Sequence, residues 1–458
     1  MFTATQYGAA LQPGFSLHEE QWMNLELLPA EIEVQAAWFA GEFGREFTAV
    51  DGHKIHIHQH GLWNHEAGPD FLQAAIQIDD QPVMEGAIEI DSHAKDWEAH
   101  GHHQNPEYEN VILHLFLVPG SQQTFTRTPQ HRLVPQALLP WQELTSPPFP
   151  LPNARPGRCV NPISSLSTSQ RDELLHAAAA WRLNKKRSRW QRMALTHGID
   201  QALFQATAEV MGYRENKLPF RILVQRLPLK TLRTSPAQAE ALLFGGAGFL
   251  QGRAAQSSAL DSQSYLRDLW EVWWKRQAEF QALPIADTLW SKKGFRPLNH
   301  PERRLGALAT LLPHWQPYRA LMEEGDHQAL SSFLAELTHP FWSRHYRLDR
   351  PILERDSAQL MGSSRIHDLL ANVMAPLIPE EAALRWLFAQ RAPQTSRRVA
   401  VALERMAGGE PRLIKEWTTL GHHQALLQLF EDYCLKDFSD CTQCGFPSLV
   451  ERLSLQSE

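Results

Sequence analysis

Hydrophobic and polar positions along the chain change their period twice. Apolar residues at helical spacing, including Ile32, Val34, Ala37, Trp38 and Phe39, predict a helix within residues 18–45. Period-two segments follow. Residues 54–58 (KIHIH) alternate strictly, 71–78 are largely apolar, 83–91 alternate loosely, and 111–118 and 132–139 form two more apolar runs, with Gly, Asp and Asn between them. This pattern predicts a small α/β domain over residues 1–145. The proline-rich stretch SPPFPLPNARPG then reads as a linker across 146–160. Beyond it, Leu/Ala/Trp periodicity broken at Gly and Pro predicts a helical domain over 161–430, and a short cysteine-bearing segment, 431–458, ends the chain. The expected fold class is α+β, with no internal repeat.

A length of 458 residues exceeds one compact core and fits two or three domains. No apolar run reaches the roughly 18 residues that span a bilayer. The start, MFTATQYGAALQPGF, lacks a basic-then-apolar leader, so a cytoplasmic location is expected. The net charge of −7 argues against a general coat for nucleic acid but leaves room for a local basic channel. Fifteen tryptophans, many at helical spacing, read as core residues before they read as base-stacking platforms.

Candidate chemistry concentrates between Gly61 and His114. With 71–78 and 83–91 as a hairpin, Asp70 opens one strand, and Glu89 and Asp91 share a face near the end of the next. Carboxylates so placed suit Mg²⁺ or Mn²⁺, which polarise phosphate and supply hydroxide. The alternative is a turn Asp and a strand-edge Glu in solvent. Downstream, His100, His102, His103 and His114 surround Asp96-Trp97 as general bases, as ligands to a second metal, or as core histidines bonded to carbonyls. His56, His58 and His60 alternate along another strand, as a metal comb or a solvated face.

The order of a leading helix, a strand opened by Pro69-Asp70 and a strand carrying Glu89-Ile90-Asp91 resembles the PD-(D/E)XK nuclease superfamily. That resemblance implies a restriction-endonuclease-like domain, a metal held by Asp70 and Glu89 with a helix glutamate such as Glu33, and a DNA or RNA substrate. Asp91 stands where the superfamily carries lysine, so Lys95, His93 or Lys54 would take over that role. A longer set of motifs resembles domain-of-unknown-function family 2851: GPDF, G-x-IEI, DW-x-x-HGHH, Tyr108-x-Asn110-Val-Ile-Leu-His114, LLFGGAGFL (242–250), FRPLNHPERRLGALA (295–309) and the C-terminal cysteines. That likeness favours His100 and His114 as the functional histidines.

Three of the four cysteines form Cys434-x6-Cys441-x2-Cys444, and Cys159 is the fourth thiol. In a reducing compartment such clustering points to metal rather than disulfides. It resembles the staple of AddB-type iron–sulfur nucleases, which implies a [4Fe–4S] cluster; structural zinc is the alternative. Two basic segments are candidates for nucleic-acid contact: Lys185, Lys186, Arg187 and Arg189 in one, Arg296 and Arg304 in the other. Exposed, solvated helix faces are the alternative. The run Gly245-Gly246-Ala247-Gly248 has no Gly-Lys-Ser/Thr after it and predicts a tight helix crossing rather than a phosphate loop. Three functions remain open on this reading: metal-dependent phosphodiester hydrolysis, non-catalytic nucleic-acid binding or scaffolding on a degenerate nuclease fold, or metal-dependent hydrolysis of a smaller substrate through the histidines.

Overall fold

A computed structural model describes residues 2–11, 28–64, 67–120, 125–141, 153–213, 215–251, 260–280, 284–292, 297–349, 358–435 and 440–455. The chain divides into a sheet unit, Gly14–Pro150 with Leu195–His197, and a helical unit, Met1–Pro13 with Leu151–Ala194 and Gly198–Glu458. The N-terminal residues therefore do not join the sheet, contrary to the expected 1–145 domain. Helix α1 (Ala4–Ala10) instead buries Tyr7, whose hydroxyl donates to Asp432 at 3.0 Å. Among the described residues no helix is long and apolar enough to cross a membrane.

In the sheet unit, α2 (Glu31–Phe39) precedes β1 (Glu46–Thr48), β2 (Lys54–Gln59), β3 (Leu62–Trp63), β4 (Phe71–Ile78) and β5 (Met84–His93). Short α3 (Asp96–Ala99) and two 3₁₀ turns lead to β6 (Val111–Val118), followed by β7 (Thr126–Arg127), β8 (Leu133–Val134) and β9 (Gln136–Leu138). The principal sheet has seven strands in the order β1-β2-β4-β5-β6-β9, with β3 also on β4, while β7 and β8 form a separate pair. β2, β4 and β5 pair antiparallel, whereas β5–β6 and β6–β9 pair parallel. The expected strand over 132–139 is split at Pro135, which has no N–H to donate to a ladder.

Two separate clusters flank the middle of the sheet. Ile88 and Ile90 of β5 join Val34 and Trp38 of α2 and Leu113, Leu115 and Leu117 of β6 in the larger core. Ala87, on the other set of β5 positions, packs with Trp97, Tyr108, Val111 and Val134. Period-two geometry places Glu89 and Asp91 on Ala87's side. β5 is thus buried on both faces, and two carboxylates are carried out of water with it.

The helical unit begins with α4 (Val160–Ser165) and the 30-residue α5 (Thr168–His197), then α6 (Ile199–Met211) and α7 (Lys217–Arg226). Ser167 caps α5 reciprocally with Gln170. The glycine-rich run lies at the end of helix Pro236–Gly246, which packs on Leu260–Arg276. A Cβ on Gly245 would come within 2.1 Å of the Trp273 ring, so the glycine permits a close crossing. Residues 146–152 of the expected linker lie outside the described residues. From Asn153 onward the segment is held: Arg405 donates to the Asn153 carbonyl, and Gly157 N–H donates to the Arg405 carbonyl at 2.8 Å.

Candidate metal centre

Asp70 and Glu89 are brought together by a reciprocal brace. The Asp70 backbone N–H donates to Glu89 Oε2 at 3.0 Å, and the Ile90 N–H donates to Asp70 Oδ2 at 2.9 Å. Gln35 of α2 donates to Asp70 Oδ1 at 2.7 Å and to Glu31 Oε1 at 2.9 Å. The helix therefore contributes Glu31 and Gln35 at the turn where Glu33 was expected. Both oxygens of Asp70 and one of Glu89 are accepting hydrogen bonds, so this pair frames the site more than it offers open ligand positions.

Asp91 is the hub. Its Oδ1 lies 3.1 Å from His100 Nδ1, and its Oδ2 lies 3.2 Å from His114 Nε2 and 3.8 Å from His102 Nδ1. His102 Nδ1 is also 3.5 Å from Glu89 Oε1. Donor atoms of Asp91, His100 and His102 all fall within 4.8 Å of one another. Asp91, His102 and His114 are 2%, 7% and 0% exposed, yet Asp91 Oδ2, His102 Nδ1 and His114 Nε2 form no hydrogen bond. Buried polar atoms without partners are costly, on the order of 1–3 kcal/mol each. An ion among them would supply the missing interactions.

The rings are fixed in place from behind. His102 stacks on Tyr108, with centroids 4.1 Å apart and planes 11° apart, and meets Trp97 edge-on at 5.2 Å. Gly101 adopts a left-handed φ of 76°, which turns the chain sharply between the two histidines it separates. His114 Nδ1 sits 2.7 Å from Thr126 Oγ1, which also accepts from Gln136 Nε2 at 2.7 Å. With a proton on Nδ1, Nε2 keeps a lone pair directed at Asp91, the outer-shell arrangement of metal-binding histidines. His100, by contrast, has a side chain 52% exposed and opens the site to solvent.

Electrostatics in this pocket of acids follows from burial. Desolvation raises Asp70 to about 7, helped by Glu31 and Asp91 and opposed by the Ile90 hydrogen bond. Glu89 is raised to about 10 by burial first, then by Asp70 and Asp91. Partial burial, followed by the charge of Asp91, also raises Glu31. Burial lowers His102, which keeps its imidazole neutral and its lone pair available. Without a cation, burial and mutual repulsion leave Glu89, and in part Asp70, holding a proton instead of a charge at neutral pH.

The remaining candidates lie elsewhere. Lys95 is exposed at the N-cap of α3 and forms no ion pair among the described residues. His93 pairs with Asp96 at 3.1 Å, and the exposed Lys54 begins β2, its backbone bonded to Asp79. Among the described residues neither Lys95 nor Lys54 forms an ion pair or hydrogen bond from its ammonium group to Asp70, Glu89 or Asp91. His56 contacts Glu46, His58 bonds Gln77, and His60 is buried against the Gly44 carbonyl, so the three make no comb.

Among the described residues most of the basic segment is half-buried and bonded within the helical unit. Half-buried Lys186 donates to Asn372 and Gln424, Arg187 to the Pro376 and Ile378 carbonyls, and Arg189 to Glu209. Arg304 donates to the Leu360 carbonyl and Tyr213. Amphipathic packing turned these cations toward partners in other helices. Lys185 alone of the set is exposed, and Arg296 lies outside the described residues.

The four thiols gather in the helical unit. Cys159 is buried at the N-cap of α4, and Cys434, Cys441 and Cys444 are half-buried. Cys434 is pushed up to about 12 by burial, then by Cys159 and, against the relief from Arg405, by Cys444 and Cys441.

Comparison with curated proteins and with solved structures finds no match. A family model described as "Protein of unknown function (DUF2851)" matches residues 31–385. That span takes in α2, the whole Asp70–His114 cluster and Cys159, and stops short of Cys434. Since it covers well over half of the sequence, the chain belongs to the DUF2851 family.

Proposed function

We propose that the sheet unit is a metal-dependent phosphodiesterase, nuclease-like in its chemistry and acting on DNA or RNA. The observation that carries this reading is the trio of buried atoms without hydrogen bonds, Asp91 Oδ2, His102 Nδ1 and His114 Nε2, converging beside two more carboxylates. Asp91, His100 and His102 would hold the ion, with Glu89 Oε1 and His114 Nε2 as further donors. Two imidazoles in the set move the preference from Mg²⁺ toward Mn²⁺, because Mg²⁺ favours oxygen donors throughout. Bound there, the ion would polarise a phosphoryl oxygen and lower the pKa of a coordinated water.

The residues of the chain divide the remaining work. Asp70, raised to about 7, is suited to accept a proton at neutral pH. Gln35 and the Ile90 amide hold that carboxyl in place. The exposed ring of His100 marks the side from which a phosphodiester would approach. Support for the nuclease class comes from element order: a helix, three antiparallel strands carrying Asp70 and Glu89, a crossover, and a parallel strand.

The test is cleavage of labelled single- and double-stranded DNA and RNA with Mn²⁺, with Mg²⁺ and with chelator. Manganese-dependent cleavage that disappears in Asp91→Ala and His102→Ala is the expected result. Cleavage persisting in both variants would remove the site from consideration. Salt-sensitive binding without cleavage under any metal would instead support the non-catalytic reading.

A further inference from the structure

The helical unit arranges its thiols around one arginine. Helix Arg397–Ala407 and helix Phe446–Leu455 both pack on α4, the helix that Cys159 caps. Arg405 meets the thiol group at both ends: its carbonyl accepts from the Cys159 thiol at 3.4 Å, and its Nη2 lies 3.5 Å from Cys441 Sγ. Cys434 closes a π-type turn, Phe430–Cys434, a local irregularity often found at functional positions. Asp440 and Cys441 both take left-handed backbone, φ 52° and 73°, which non-glycine residues hold only where surrounding contacts enforce it. Arg158 Nη1 fastens the same loop by donating to the Cys441 and Thr442 carbonyls at 3.1 and 2.6 Å.

We propose that Cys159, Cys434, Cys441 and Cys444 are the four ligands of one metal centre, and that this centre is a polynuclear iron–sulfur cluster. The donor type comes first. Four thiolates select soft metals, namely zinc, copper(I) or iron–sulfur clusters. Charge agrees with such a centre. Arg405 is 4% exposed, and its Nε has no hydrogen-bond partner among the described residues. Thiolates around a dication or a doubly charged cluster core leave net negative charge, which a buried guanidinium beside Cys441 offsets.

Spacing then chooses between metals. A single zinc, with Zn–S near 2.3 Å in a tetrahedron, draws its sulfurs to roughly 3.8 Å from one another. Among the described residues the one trio of His, Cys, Asp or Glu donors within 4.8 Å of one another is Asp91, His100 and His102. The thiols act on one another's charge and so share one neighbourhood, yet no three of them lie within 4.8 Å of one another. Separations beyond zinc distance suit a cluster whose sulfurs are separated by several metal atoms. The centre is independent of the chemistry proposed for the sheet unit.

The test uses the full chain, purified without oxygen and, in a parallel sample, reconstituted with ferrous iron and sulfide. About four iron and four acid-labile sulfide per chain are expected, with a brown colour bleached by dithionite. The thiols of the untreated protein should resist alkylation and react after chelation, a readout that needs no folded variant. Cys434→Ala and Cys441→Ala should each lower iron at least about fivefold. One zinc per chain without sulfide would overturn the cluster. Freely alkylated thiols with neither metal, even after reconstitution, would overturn the centre itself.

Discussion

Two regions of this protein draw ionisable side chains out of water, and they differ in what those side chains find. Along α5 of the helical unit, half-buried cations meet acceptors: Arg182 meets Glu431 at 2.7 Å, Arg187 two carbonyls, and Arg189 the carboxylate of Glu209, which Arg221 also contacts at 3.0 Å. In the sheet unit, Asp91, His102 and His114 point at one another and leave three buried atoms without hydrogen bonds. Dense charge is common to both. Buried atoms without hydrogen bonds occur in the helical unit too, Arg303 Nε and Arg405 Nε among them, but at Asp91 three converge on one place, and that convergence is why the proposed ion is put there. Arg182, Arg187 and Arg189 each find an acceptor within the fold.

The strongest way to break this contrast is Asp91→Ala. It should abolish manganese binding and slow any cleavage by at least about 10³-fold, while the metal-free chain keeps or gains thermal stability because a repulsive buried charge is gone. A variant that unfolds would place Asp91 with the structural ion pairs instead. Glu209→Ala should do the reverse, costing about 3–5 kcal/mol in urea unfolding, since it strands Arg189 and Arg221, with metal content unchanged.

A pH titration sharpens the same difference. Asp70 and Glu89 hold protons in the folded state that the unfolded chain would release, so their contribution is full below about pH 4. It is lost as pH rises through about 7 for Asp70 and continues to fall toward about 10 for Glu89. Chelated protein should therefore melt at steadily lower temperature between about pH 5 and 8, and Mn²⁺ should flatten that slope. A chelated chain whose melting temperature holds constant across this range would contradict the buried-acid account. The smallest effects belong to the exposed lysines: Lys95→Ala and Lys185→Ala should each change stability by less than about 0.5 kcal/mol. Lys95→Ala should also leave any cleavage rate within about twofold, and a larger loss would restore it to the lysine role.

Local pattern made part of this legible in the sequence. An apolar run at 71–78 and loose alternation over 83–91 pointed to β4 and β5, and the i, i+2 spacing put Glu89 and Asp91 on one face. Parallel pairing of β5 with β6 then set Glu89 opposite His114, a residue the family likeness had singled out. His102 was harder to separate from its neighbours, because the HGHH run offers several imidazoles. Which of them turns inward depends on the left-handed Gly101 and on stacking against Tyr108, six residues further on. The basic run misled for a related reason: the partners of Arg182 and Lys186 lie at Glu431, Gln424 and Asn372, far along the chain. Long-range pairing of polar groups leaves no periodic trace, whereas burial of apolar ones does.

The change from antiparallel to parallel pairing at β5 has a kinetic consequence. Glu31, Asp70, Asp91, His102 and His114 come from separate elements and meet only after β6 has crossed back to lie beside β5. Contacts between distant parts of a chain form late, because loop closure must precede the interactions that stabilise it. Recovery of metal binding during refolding should therefore trail recovery of helical signal. The ion would then serve as a reporter of completed assembly, unable to nucleate the sheet and able to lock it only once the last strand is home.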